Sequence, residues 1–205
     1  MEKPLVVIVQ GSPRDEGNCA ALATDAFNAC DARGCNAIIV SAEGLMSGNA
    51  HPCTGCNSCV STGECIHLDE VTFLYRMLES AAGLLWITPV YFASVPSQLK
   101  AVIDRFQVFW ARRNRGEMVR FETRRPAAAL IVGSGNDPFG AEAVTIPLTS
   151  ASNIAEFDLA LKTVLIGIDD PGAIIQEENA DKRKTAHTTI KKFVDAVFQW
   201  HGQGM

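Results

Sequence analysis

Apolar residues in this chain come in short blocks separated by amphipathic stretches. Leu5-Val-Val-Ile-Val9, Ala37-Ile-Ile-Val40, Leu84-Leu-Trp-Ile87, Ala127 to Val132 and Thr163-Val-Leu-Ile166 are apolar without polar alternation. Such blocks suit strands covered on both faces. Between them the spacing changes to three and four. Leu22, Ala23, Ala26, Phe27 and Cys30 share one helical face, as do Val71, Leu74, Tyr75 and Leu78. Leu99, Val102, Ile103, Phe106 and Trp110 make a longer stripe, and Ile190, Phe193, Val194 and Val197 repeat it near the end. A further helix falls between Ala141 and Leu161, where Pro147 is expected to kink or break it. Strand–helix alternation five times over predicts an α/β fold, a doubly wound parallel sheet of five strands with helices on both faces. No linker, repeat or low-complexity segment divides the chain, so residues 1–205 read as a single domain.

One connection breaks the rhythm. Residues 41–67 are rich in Gly, Ser, Asn and Cys. Strand-to-helix connections in such folds usually take about 2–6 residues, and long structureless ones tend to be functional. This stretch holds Cys53-Thr-Gly-Cys56-Asn-Ser-Cys59 and then Cys65.

Composition narrows the class. Charged residues make up 20% of the chain and hydrophobic ones 47%, which suits a globular protein with a real core rather than a disordered one. No apolar run is long enough to cross a bilayer, so no membrane is expected. The first residues lack a basic leader and small-residue cleavage site, and a cytoplasmic, thiol-reducing setting is expected. The net charge of -5 disfavours a nucleic-acid partner. Locally, Arg105, Arg112, Arg113, Arg115, Arg120, Arg124 and Arg125 lie within 21 residues. They are expected to form a solvated or subunit-facing helix end, the alternative being a docking patch for an acidic partner or a nucleotide phosphate.

After the first strand block comes Gly11-Ser-Pro-Arg14-Asp-Glu-Gly17-Asn18, then a helix. Unpaired N–H groups and a positive dipole end make such a turn suitable for an anion. Ser12 adds a hydroxyl, Arg14 a charged fork, and Asn18 reads as the cap of a helix starting near Cys19, whose backbone could also donate. Asp15 and Glu16 oppose an anion unless they point away. Neither the dinucleotide fingerprint nor the P-loop pattern is present. In a doubly wound sheet, ligands sit beyond the carboxyl ends of the strands. Thr88-Pro89-Val90-Tyr91-Phe92-Ala93-Ser94-Val95-Pro96 would lie beside the first turn, offering aromatic faces to a flat ring. The flexible 133–140 segment would approach the same ligand.

Soft thiolates at the spacing of Cys53, Cys56, Cys59 and Cys65 suit a metal centre held by one short loop. Zinc fits second, because its structural sites separate two ligand pairs by a longer segment. A redox dithiol needs only two of the four. Cys30 falls on an apolar helix face and Cys35 at a helix end. His51, His67, His187 and His201 form no constellation, and no acid–base residue is nominated.

Gly11-Ser-Pro-Arg-x-x-Gly-Asn18, the Cys53 to Cys65 array, Pro89-Val-Tyr-Phe92, Gln98-Leu-Lys-Ala101 and Ile103-Asp-Arg105 together resemble the NADPH-dependent FMN reductase family of flavodoxin-like proteins, and within it the iron-sulfur flavoproteins. The motifs cover roughly the first two thirds of the chain. The resemblance implies strand order 2-1-3-4-5. It implies FMN with its phosphate at Ser12, Arg14, Asn18 and Cys19, and its ring against Pro89, Val90, Tyr91 and Phe92, near Ser94 and Ser134, Gly135 and Asn136. It implies a 4Fe-4S cluster on Cys53, Cys56, Cys59 and Cys65, and a homodimer or homotetramer. One departure is Leu68-Asp69-Glu70, where an acidic pair often directly follows the last cysteine.

The expected activity is that of an FMN-dependent oxidoreductase passing electrons between the cluster and FMN, with ferredoxin or another carrier as partner. One alternative is an NADPH- or NADH-dependent FMN or quinone reductase without a cluster. Another is a non-catalytic electron carrier or thiol redox sensor.

Overall fold

A computed structural model of the chain describes residues 2–118, 121–135 and 139–203. Five strands, β1 (Leu5–Gln10), β2 (Asn36–Ser41), β3 (Gly83–Pro89), β4 (Arg125–Gly133) and β5 (Phe157–Ile166), form one sheet in the order β2-β1-β3-β4-β5. Every pairing is parallel. The fold is the flavodoxin-like one expected.

The period of two along the central strands sorts side chains into two cores. Val7, Val9, Leu84, Trp86, Ala127, Ala129 and Ile131 face one layer. It comprises α2 (Ala42–Ser47), α4 (Glu70–Ser80), α5 (Ser97–Asp104), α6 (Gln107–Asn114) and α7 (Glu142–Ile154). Val6, Ile8, Leu85, Ile87, Ala128, Leu130 and Val132 face α1 (Asn18–Arg33) and α8 (Ala180–Gln203). Cys30 and Cys35 are both buried in this second core.

Several expectations need correction. The edge strands are not covered on both faces: Ile38 and Ile39 of β2 and Val164 and Ile166 of β5 are exposed. β5 also begins at Phe157, well before the apolar block, and its first half alternates buried and exposed positions. Pro147 does not break its helix. α7 runs through it because Val144, Leu148, Ala151 and Ser152 are buried, and Trp86 Nε1 donates to Ser152 Oγ at 2.9 Å from beneath. Packing here outweighs one lost backbone bond. The stripe from Leu99 to Trp110 is two helices, because Arg105 turns inward between α5 and α6 and is 1% exposed. Residues 41–67 are not wholly irregular, since they contain α2 and the single turn α3 (Ser58–Thr62).

At the carboxyl edge, the β1–α1 turn must pass close to α5. A side chain at Gly11 would place its Cβ 2.4 Å from Leu99 Cδ2, so any larger residue would force the buried Leu99 to shift.

Candidate functional site

The carboxyl ends of β1, β3, β4 and β5 surround two adjoining cavities, as the switch in strand order requires. The smaller, about 180 Å³, lies at the start of α1 and is lined by Ser12, Arg14, Asn18, Cys19, Pro89, Val90 and Tyr91, and also by Asp169. The first intrahelical bond of α1 runs from Ala21 N–H to Gly17 C=O at 3.0 Å, so the N–H groups of 18–20 precede it. No acidic side chain sits in that first turn, and Asp15 and Glu16 are exposed and do not line the cavity. Ser12 Oγ accepts from Arg14 N–H at 3.1 Å, which leaves the hydroxyl proton as a donor. Arg14 itself is exposed. Burial pushes the Cys19 thiol up to about 12, so it stays protonated at neutral pH.

Asn18 does not cap α1. Gly17 holds the cap position. The Asn18 amide instead donates to Asp170 C=O at 3.0 Å and accepts from Ile174 N–H at 2.9 Å, tying the segment after β5 to the start of α1.

The larger cavity, about 580 Å³, is lined by Val90, Phe92, Gly133, Ser134, Gly135, Gly140, Ala141, Glu142, Val164 and Ile166. Val90, Gly133 and Ser134 line both, so the polar end opens into an apolar slot. Gly135 has φ +99° and a Cβ there would lie 2.4 Å from Ile166 Cγ2, so the β4–α7 loop needs glycine to hug β5. Asn136 lies outside the described residues. Ser94 lines neither cavity. Its backbone exchanges two hydrogen bonds with Tyr91, at 2.9 and 3.0 Å, closing a two-residue turn. The central residues, Phe92 (φ 49°) and Ala93 (φ 55°), are both left-handed, a conformation that Asn-Gly adopts far more cheaply. The turn leaves Phe92 fully exposed at the slot's mouth. Strain of this kind persists where surrounding structure imposes it, and clusters at ligand sites.

Sequence reasoning missed the contributions of β5. Val164, Ile166, Ile168 and Asp169 line these cavities. The rule that ligands sit beyond strand ends would have pointed to Ile166-Gly-Ile-Asp169.

Cys53, Cys56, Cys59 and Cys65 line one separate cavity of about 260 Å³, with His67, Arg105, Gln107, Val108 and Trp110. All four are free thiols; Cys53 and Cys56 are exposed, Cys59 and Cys65 partly buried. Burial raises the Cys59 thiol above the ordinary range, with smaller upward contributions from Cys53, Cys65 and Cys56 nearby. Among the described residues, no three His, Cys, Asp or Glu side chains converge on one ion-sized point. This cavity shares no lining residue with the other two.

Where a solvated or subunit-facing helix end is expected, several of these arginines also make contacts within the chain, while Arg115 and Arg124 remain exposed. Arg112 Nε donates to Gly63 C=O at 2.6 Å and pairs with Glu79. Arg115 donates to Ser61 C=O at 2.7 Å. Arg113 pairs with Glu156, and Arg124 donates to Asn153. Arg125 is buried and donates to the carbonyls of Leu78 (2.6 Å), Ala81 (2.8 Å) and Ala155 (2.6 Å), so one guanidinium satisfies the carboxyl ends of α4 and α7. Arg120 lies outside the described residues.

Known proteins resemble this chain in sequence and in fold. The family model for NADPH-dependent FMN reductases matches residues 4–157. An iron-sulfur flavoprotein of Methanocaldococcus jannaschii is 31% identical over 169 residues, 82% of this chain and 78% of that protein. One from Archaeoglobus fulgidus is 32% identical over 97 residues, 47% of this chain and 43% of that protein. Among solved structures, the NAD(P)H:(acceptor) oxidoreductase FerB of Paracoccus denitrificans superposes with a TM-score of 0.59 at 20% identity, covering 97% of this chain and 98% of FerB. An apo NADH:FMN oxidoreductase gives 0.59 at 17% identity, covering 94% and 89%. These last two likenesses bear on the fold.

Proposed function

Because the chain belongs to the NADPH-dependent FMN reductase family, and is thus an FMN-dependent oxidoreductase, we propose that it binds FMN across the paired cavities and a 4Fe-4S cluster at the cysteine cavity, and passes electrons between them. The observation that carries the flavin part is the junction of a polar cradle at a helix start with an apolar slot. Ser12, Arg14 and the first N–H groups of α1 would hold the phosphate. Val90, Phe92, Val164 and Ile166 would cover the ring and exclude water, with Pro89, Tyr91, Ser134 and Gly135 along its edge. Cys19 would contribute through its backbone, and Asn18 by fixing the wall behind the phosphate. Bound FMN supplies hydride and one-electron chemistry at its N5, so no side chain need act as acid or base.

One observation supports a cluster: the four thiols share one cavity. A tetrahedral zinc ion needs its ligands to converge on one point, whereas in a four-iron cluster each thiolate takes its own iron, which suits sulfurs spread around a cavity. The cluster would supply one-electron transfer from a carrier such as ferredoxin. The separation of the cysteine and flavin cavities within one chain supports assembly into a dimer or tetramer, in which one copy's cysteines face another's slot.

A reductase that uses NADPH or NADH without a cluster is the second reading. The open mouth at Phe92 favours it, since a nicotinamide needs access to the flavin face. Purification without oxygen, with flavin absorbance and iron and sulfide analysis, tests both. No flavin overturns the proposal. Flavin without iron and sulfide leaves the second reading. Steady-state turnover with NADPH and a quinone then separates a reductase from a carrier.

A further inference from the structure

Three arginines of one short stretch bond to the backbone of the cysteine loop. Arg112 and Arg115 hold α3, the turn that carries Cys59. Arg105 does something different, because it holds both ends. Its NH1 donates to His51 C=O at 2.6 Å, two residues before Cys53, and its NH2 donates to His67 C=O at 3.3 Å, two residues after Cys65. The same nitrogens grip Asp69 in a two-toothed pair at 2.8 and 3.0 Å, and Nε donates to the Tyr75 hydroxyl at 3.1 Å. All five donors of the fork are used. Asp69 in turn accepts from the backbone of His51 at 3.0 Å and Val71 at 3.2 Å.

The ion pair is also sided. Arg105 lines the cysteine cavity, whereas Asp69 does not; it lines the neighbouring cavity beyond His67 and Leu68. Both side chains are nearly sealed from water, at 1% and 5% exposure. Charges so placed are little screened. A positive charge beside a redox centre favours its reduced, more negative state.

We propose that Arg105 is a positioning residue for the cysteine site: it clasps the two ends of the four-thiol loop and turns the positive end of a buried ion pair toward a cluster held there, raising its reduction potential. This deepens the cluster reading and rests on it. Lysine cannot replace the clasp, since a single ammonium cannot reach two carbonyls, a carboxylate and a phenol in this fork.

The test uses Arg105→Gln, Arg105→Lys and Asp69→Asn in the full chain, with FMN binding as the check that the sheet is folded. The first measurement needs no cluster. Alkylation of Cys59 and Cys65, mapped by mass spectrometry on the metal-free chain, should speed up about tenfold or more in Arg105→Gln, and measurably in Arg105→Lys. Unchanged rates overturn the clasp. The second measurement is the reduction potential after loading with iron and sulfide. Arg105→Gln should move it negative and Asp69→Asn positive. Loss of packing alone would move both alike, so shifts of one sign, or none, overturn the electrostatic role. A wild-type chain that takes up neither iron nor sulfide overturns the cluster reading and the electrostatic role with it, while the alkylation rates still decide the clasp.

Discussion

Replacing Arg14 by Ala tests the phosphate cradle most directly. A hydrogen bond to a charged group is worth about 1.5–3 kcal/mol. Arg14 is exposed, so water and salt screen its charge and the lower end must be discounted further. The other donors, Ser12 and the first N–H groups of α1, remain in the variant. A loss of about 1–1.4 kcal/mol follows, or roughly five- to tenfold in affinity. Titrating FMN into the flavin-free chain, followed by quenching of flavin fluorescence, measures it. Riboflavin is the internal control, because it carries the same ring and no phosphate. Its affinity should not change in Arg14→Ala. The FMN difference should also shrink as salt rises from about 10 mM to about 1 M. Equal losses for FMN and riboflavin would show that Arg14 acts on the ring or the fold, and would refute the cradle.

Other outcomes follow from single contacts. Arg125→Met strands the carbonyls of Leu78, Ala81 and Ala155; unfolding in urea should show a loss of about 3–5 kcal/mol, and Tm should fall by roughly 6–20 °C. A loss below about 1 kcal/mol contradicts the shared helix cap. Ala93→Gly removes left-handed strain of about 1–2 kcal/mol but adds unfolded-state freedom of about 0.4–1 kcal/mol, so the urea midpoint should hold or rise; Ala93→Val should lower it. Asp25 joins α1 to α8 through Arg183 at 2.7 Å and His187 at 2.8 Å. Burial alone would raise its carboxyl, but hydrogen bonds from Arg183 and His187 outweigh it and hold the carboxyl below its usual range. The stabilisation is therefore present above the unfolded value of about 3.9 and lost as pH falls through the lower folded value. The gap between wild type and Asp25→Asn should close as pH falls from about 4 to about 2; a gap that persists to about pH 2 contradicts this assignment.

The central strands were legible because both of their faces are covered, which writes an unbroken apolar block into the chain. β5 was half hidden for the opposite reason: as an edge strand it alternates, and Phe157 to Leu161 carries Asp158 on its open face. The turn after β1 and the aromatic turn after β3 stand where their residue types suggested, although Phe92 and Ala93 take left-handed backbone that their types disfavour. Long-range partners were not legible. Asn18 looks like a helix cap in sequence, but its amide reaches a segment more than 150 residues away. The arginines read as a charge cluster because nothing local shows that carbonyls from the cysteine loop, about 50 positions earlier, will meet them. Asp69 read as a slight irregularity after the last cysteine, and it is the counter-ion of the most buried cation in that region.

The clasp at Arg105 has a consequence for how such a chain can change over evolutionary time. A segment whose two ends meet at one guanidinium, and whose middle turn hangs on Arg112 and Arg115, is held to the body by arginines from α6 and its two ends rather than by strand pairing. Insertions or deletions between Cys53 and Cys65 need not shift the register of any strand, and a descendant could shed the thiols while retaining the flavin slot intact. The Arg105–Asp69 pair is then the seam along which a two-cofactor chain could be trimmed to a one-cofactor chain.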